Sequence, residues 1–197
     1  DNIGEILTSM GVEFEPFEGS FDCSLLFVNC NTPDRLDPGA LADFVGSGGC
    51  LYASCYADTL VNQAFPGVFD FGGHVGRPDQ VVARVLDPEL KSVIGQETEV
   101  VFDTSWAVLR PGKAEALLVA AKGSQQAGNP IMAYAEYGAG SIFFTCFHNK
   151  AQTSDREKRL LQLLVVKQFS AKSHQSFEQA GKSLGLAFDE IRSDLRR

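Results

Sequence analysis

Three reactive side chains stand at the ends of apolar runs in this chain. Cys30 follows the run 23–29 (CSLLFVN), Cys55 follows 50–54 (CLYAS), and His148 follows 141–147 (SIFFTCF). Cys55 is the most informative of them. In Ala53-Ser-Cys-Tyr-Ala57, small residues stand two before and two after the cysteine. That is the spacing of a nucleophile elbow, a sharp strand-to-helix turn that larger flanking residues would obstruct. The helix N-terminus beyond it would offer N–H groups and a positive dipole end, which lower a thiol pKa and can stabilise an oxyanion. His148 is then the candidate base that makes the thiolate. An acid to orient the imidazole could come from Asp58, Asp103 or Glu136. The plain alternative is that such a cysteine is a packed small hydrophobe. Cys30, Cys55 and His148 could together hold Zn²⁺, but no local ligand pair supports that, so no metal and no cofactor is expected.

These side chains need strands that share an edge, and the pattern supplies them. Residues 2–10 have helical spacing and end at Gly11, while 12–17 alternate as an edge strand would. The runs 23–29 and 50–54 are continuously apolar, as in strands buried on both faces of a parallel sheet. Between them, 38–45 reads as a short helix with Pro38 in its first turn. Another helix is expected from about Tyr56 to Ala64, before Pro66. Strands are expected at 81–86, 100–102 and 116–121, with a short helix at 88–94 capped by Asp87. The segments 131–137 and 141–147 form a hairpin around Gly138-Ala-Gly140. Asp155 to Phe169 is a strong amphipathic helix. Gly72-Gly-His-Val-Gly76 reads as a mobile loop or lid near the site, with His74 as a loop ligand, and Trp106 as core or rim. Strands alternating with helices imply a three-layer α/β/α sandwich with a mostly parallel, flavodoxin-like sheet over residues 1–169. A linker and an amphipathic C-terminal helix follow over 170–197, with Phe177, Ala180, Leu184, Phe188, Ile191 and Leu195 as its apolar stripe.

Composition narrows the partners. Among 197 residues, 17 Lys and Arg face 25 Asp and Glu, a formal net charge of −8, which argues against a nucleic-acid partner. No apolar run is long enough to span a membrane. Five cysteines in no CxxC pair point to free thiols and a cytoplasmic location. The first residue is Asp1 rather than Met, which points to a processed or excised piece of something longer.

Residues 55–61 (CYADTLV) resemble the cysteine elbow of class I glutamine amidotransferases. Residues 137–148 (YGAGSIFFTCFH) resemble that superfamily's late turn and the strand that ends in its catalytic histidine, and are most similar to trehalose-utilisation-protein-like members. Residues 21–29 look like the strand before the family's oxyanion loop. The likeness runs over about residues 3–165 and implies an amidotransferase-like fold, with Cys55 and His148 catalytic and Tyr56, Cys30 and Asn31 at the oxyanion rim. Two departures tell against glutaminase chemistry. The family's glutamate two residues after the histidine is Lys150 here, and Pro33 in the oxyanion loop cannot donate a hydrogen bond. The expected function is therefore a degenerate-site module that binds a small-molecule ligand at the strand C-terminal ends, or a protein partner or second copy through residues 176–197. The alternative is a cysteine hydrolase of amide or ester bonds using Cys55 and His148.

Overall fold

The computed structural model describes residues 3–30 and 36–195. Its first half runs α1 (Ile3–Ser9), β1 (Leu25–Val28), α2 (Pro38–Gly46), β2 (Cys50–Ser54), α3 (Asp58–Ala64), β3 (Asp70–Val75), β4 (Asp79–Val85) and α4 (Pro88–Ile94). Then follow β5 (Glu97–Phe102), β6 (Trp106–Arg110), β7 (Glu115–Ala120), β8 (Pro130–Tyr137), β9 (Gly140–Thr145), α5 (Asp155–Ser173), α6 (Phe177–Ser183) and α7 (Phe188–Leu195). The helix starts are chemically explicit. Asp37 accepts the Ala40 N–H at 2.7 Å, Asp87 accepts that of Leu90 at 2.8 Å, and Ser154 with Glu157 closes a capping box on α5.

The mostly parallel sandwich does not hold. The main sheet has seven strands in the order β1-β2-β9-β8-β7-β4-β5. Only β1/β2 and β2/β9 pair in parallel; β9/β8, β8/β7, β7/β4 and β4/β5 are all antiparallel. α4 lies between two strands as a crossover helix would, yet the strands it joins, β4 and β5, pair antiparallel. Burial follows the pairing. Every residue of β2 is buried, whereas β5 alternates exposed and buried along most of its length. Residues 12–17, expected as an edge strand, form no strand, and Phe14 is exposed.

The glycine turn between β8 and β9 fixes how that hairpin meets α2. Gly138 has φ +59, and a Cβ there would stand 2.6 Å from the Gly46 carbonyl oxygen. A Cβ on Gly140 would come within 2.1 Å of the Gly49 oxygen and 2.2 Å of the Val45 oxygen. The close approach lets the Ala139 N–H donate to the Gly46 carbonyl at 3.0 Å. That contact is what the Gly-x-Gly spacing provides.

At the C-terminal end, the residues expected to form a linker, 170–173, continue α5. The single helix expected beyond them is two, broken at Gly185 with φ +74. α6 packs on α5 and α7 on α4, and Phe177, Ala180, Phe188 and Ile191 are buried, with the two phenylalanine rings 4.9 Å apart. Most of the apolar stripe is thus covered by its own chain, with Leu184 and Leu195 half-buried. Among the described residues, no helix is long and apolar enough to cross a membrane.

Candidate active site

The parallel strands bring two cysteines side by side. β1 and β2 pair with Val28 opposite Ala53, and the same register two residues on sets Cys30 beside Cys55. Cys55 opens a single 3₁₀ turn (Cys55–Ala57) that leads into α3, and its φ is +46. A non-glycine residue in the left-handed region costs energy and marks a position held by its surroundings, as an elbow requires.

His148 lies three residues beyond β9, next to both. Its Nε2 is 3.1 Å from the Cys30 sulfur, and its Nδ1 is 2.6 Å from Asp103 Oδ1. Asp103 directly follows β5, four strands from β9 in the sheet. At about 4.8 Å per strand a flat sheet would hold these strands roughly 19 Å apart. Their side chains meet because the sheet curls and the chain after β9 crosses towards β5. Four successive antiparallel pairings also restore β5 to the direction of β9, so both C-terminal ends open on one rim.

Gln152 fastens that crossing. Its side-chain oxygen accepts the Val101 N–H at 3.0 Å, and its amide nitrogen donates to the Val101 carbonyl at 2.7 Å and the His148 carbonyl at 3.0 Å. It therefore pairs with β5 as a strand would, while holding the histidine's own backbone. Below it, the buried Tyr52 hydroxyl donates to Asn149 at 2.7 Å.

The electrostatics single out Cys30. The Cys55 thiol donates to its sulfur, as do His148 and the Tyr56 backbone N–H; against the cost of burial these hold the Cys30 pKa down to about 4. The hydrogen bond to Cys30, and the one to Asp103 after it, raise the His148 pKa despite its burial. Cys55 moves the other way: the Cys30 sulfur, followed by burial, pushes its thiol far up. These shifts favour a Cys30 thiolate beside a His148 imidazolium, with Cys55 holding its proton. Cys30 is half-buried and Cys55 fully buried. The donor atoms of Cys30, Cys55 and His148 lie within 4.8 Å of one another, close enough to share one soft cation.

The remaining expected residues surround this centre. The Tyr56 ring stacks on His74 with centroids 4.2 Å apart, and its hydroxyl meets the Ser105 hydroxyl at 2.7 Å. His74 is not on a lid loop. It belongs to β3, which pairs with β6 and places His74 opposite Ala107, and its Nε2 lies 3.1 Å from buried Asp58. Trp106 is buried at the start of β6. Asn31 and Pro33 lie outside the described residues. Of the three candidate acids, Asp103 is the one on His148. Lys150, at the position of the family's glutamate, is exposed in the short turn Asn149–Ala151. Sequence reasoning missed Gln152 and Ser105, since a lone glutamine or serine carries no motif.

No family model matches the chain, and no curated protein sequence matches it. Solved structures do resemble it. α-L-Fucosidase isoenzyme 2 from Paenibacillus thiaminolyticus aligns at TM-score 0.58 and 17% identity, over 84% of this chain and 28% of that one. A ThuA-like protein from Bacteroides uniformis aligns at 0.56 and 14%, over 89% and 87%. A cytoplasmic protein from Salmonella typhimurium aligns at 0.55 and 17%, over 83% and 85%. The chain spans from 22% to 29% of the glycosidases it matches. At these identities the likeness is one of fold, and it agrees with a trehalose-utilisation or amidotransferase-like fold.

Proposed function

We propose that this domain is a thiolate-dependent acyl-transfer centre, hydrolysing a small ester or amide, in which the reactive sulfur is that of Cys30. The observation that carries this reading is the continuous chain Asp103–His148–Cys30, with contacts of 2.6 Å and 3.1 Å. It is the nucleophile–base–orienter arrangement of a catalytic triad, recognised by geometry and not by position in the sequence. In this reading the amidotransferase elbow at Cys55 is retired as a nucleophile. Its sulfur is buried and protonated, and the neighbouring Tyr56 N–H, the donor that an elbow offers to an oxyanion, is turned on the Cys30 sulfur.

The steps follow from the protonation state. The Cys30 thiolate adds to the carbonyl carbon, and the negative charge moves from sulfur to the carbonyl oxygen, beside the Tyr56 N–H. His148 gives its Nε2 proton to the leaving alcohol or amine as the C–O or C–N bond breaks. Neutral His148 then takes a proton from water, the hydroxide adds to the thioester, and the acid departs with Cys30 again a thiolate. Asp103 holds the imidazole and stabilises its cation throughout. The ligand would sit at the strand C-terminal ends, beside Cys30 and Tyr56.

The test is capture of the intermediate. With p-nitrophenyl acetate as probe, mass mapping is expected to find acetyl on Cys30, with the acylation lost in Cys30→Ser and kept in Cys23→Ser. Acetyl confined to other residues, or equal in Cys30→Ser, would remove the proposal.

A further inference from the structure

We propose that Cys30 and Cys55 form a hydroperoxide-reactive thiol pair, in which Cys30 is the sulfur oxidised first and Cys55 resolves it to a disulfide. The inference rests on the reading of Cys30 as the reactive sulfur, and goes beyond it to a modification of the site. Cys30 lies two residues beyond β1 and Cys55 directly follows β2, the strand paired with it, and their sulfurs lie within 4.8 Å. Access sets the order, because Cys30 is half-buried and Cys55 only 1% exposed, so an oxidant meets Cys30 first. Cys50 is engaged with Ser141 at 3.1 Å and Cys146 is fully buried, so neither is open to an oxidant as Cys30 is.

The chemistry balances with one hydroperoxide. The Cys30 thiolate attacks the distal oxygen, the O–O bond breaks, and the alkoxide or hydroxide leaves with the His148 proton. Cys30 is now a sulfenic acid, oxidised by two electrons, and the peroxide is reduced to an alcohol or water. Neutral His148 accepts the Cys55 proton, the Cys55 sulfur attacks the Cys30 sulfur, and the S–O bond breaks. Hydroxide takes the proton from His148 and leaves as water. The disulfide would silence acyl transfer until a thiol reductant reopened it.

The experiment treats the reduced full chain with one equivalent of hydrogen peroxide and counts thiols after denaturation. The five free thiols are expected to fall by two, with the peptides of Cys30 and Cys55 joined in non-reducing mass maps and full recovery on dithiothreitol. Cys55→Ser is expected to stop at a sulfenic acid that dimedone captures on Cys30. Wild-type protein that keeps all five thiols, or in which Cys30 passes to sulfinic acid as readily as in Cys55→Ser, would overturn the pair. The thiol count of the wild type decides even if the variant fails to fold. The acetylation assay separates the two ideas: acetyl on Cys30 without a disulfide sinks the pair alone, and a disulfide without acetyl sinks the acyl-transfer reading alone.

Discussion

The parallel and antiparallel parts of the sheet are built to different rules, and the site lies on the seam between them. β2 is buried along its whole length and β9 for all but its first residue, the continuous burial of strands covered on both faces. The chain leaves β1, β2 and β9 at one rim with Cys30, Cys55 and His148. The far antiparallel strands alternate. Asp79, Gln80, Arg84, Glu97 and Glu99 of β4 and β5 are exposed, so one face of that part is wet. It contributes the acid, Asp103. The imidazole and the Cys55 sulfur therefore come from the doubly covered strands and the Cys30 sulfur from β1 beside them, whose burial alternates, while the acid that holds the imidazole is lent by the more open ones. Gln152 is the clasp between the two parts.

Substitutions can break this comparison at each level. The largest effect is expected in the doubly covered part. Phe144 is fully buried, with Phe71 at 4.9 Å, so Phe144→Ala should cost about 3–5 kcal/mol in denaturant unfolding. Val82→Ala, on half-exposed β4, should cost roughly 1 kcal/mol or less. Equal losses would mean that the two parts are not packed differently. Next comes the lent charge. An opposite charge shifts a neighbouring pKa by about 1–3 units. Asp103→Asn should therefore lower the His148 pKa by roughly that much and, through the imidazolium, raise the pH midpoint of Cys30 alkylation by less; a His148 pKa that stays put in an NMR titration would remove Asp103 from the chain of control. Gln152→Ala removes the clasp; a loss of about 1–3 kcal/mol is expected from the backbone groups it strands, together with a smaller upward move of the same midpoint. The smallest effect on the Cys30 midpoint is expected at His74. Its ring stack on Tyr56 is worth about 0.5–1.5 kcal/mol, and His74→Ala should leave the Cys30 midpoint where it is. A shifted midpoint would draw β3 into the site.

The two parts also differed in how far the residues announced them. β2 was legible to the residue, because five apolar or small side chains between Gly49 and the elbow admit little else. The ends of β1 and β9 carried Cys30 and His148 to the right rim for the same reason. The antiparallel part was legible as strands but not as pairings. The alternation in Glu97-Thr-Glu-Val-Val-Phe102 is the mark of a half-wet strand, yet α4 beside it suggests a parallel crossover, and local pattern does not encode strand direction. Gly72–Gly76 shows the converse: its glycines suggest a loop, whereas pairing with β6 makes residues 72–75 part of a strand. The identity of the acid was beyond reach as well. Asp58, Asp103 and Glu136 are equivalent by composition, and only the curl of the sheet sets Asp103 on His148.

The account turns on the charge of the Cys30 sulfur, and the pH dependence of its alkylation measures that directly. Iodoacetamide is added to the reduced chain across a pH series, and each cysteine is followed by peptide mass. A thiolate is the reacting form. With its pKa near 4, Cys30 should label at a nearly constant rate from about pH 5 to pH 8, while exposed Cys23 gains about tenfold per pH unit over that span. A Cys30 rate that climbs in step with Cys23, towards the about 8.5 of an ordinary thiol, would show a neutral sulfur there and contradict the account.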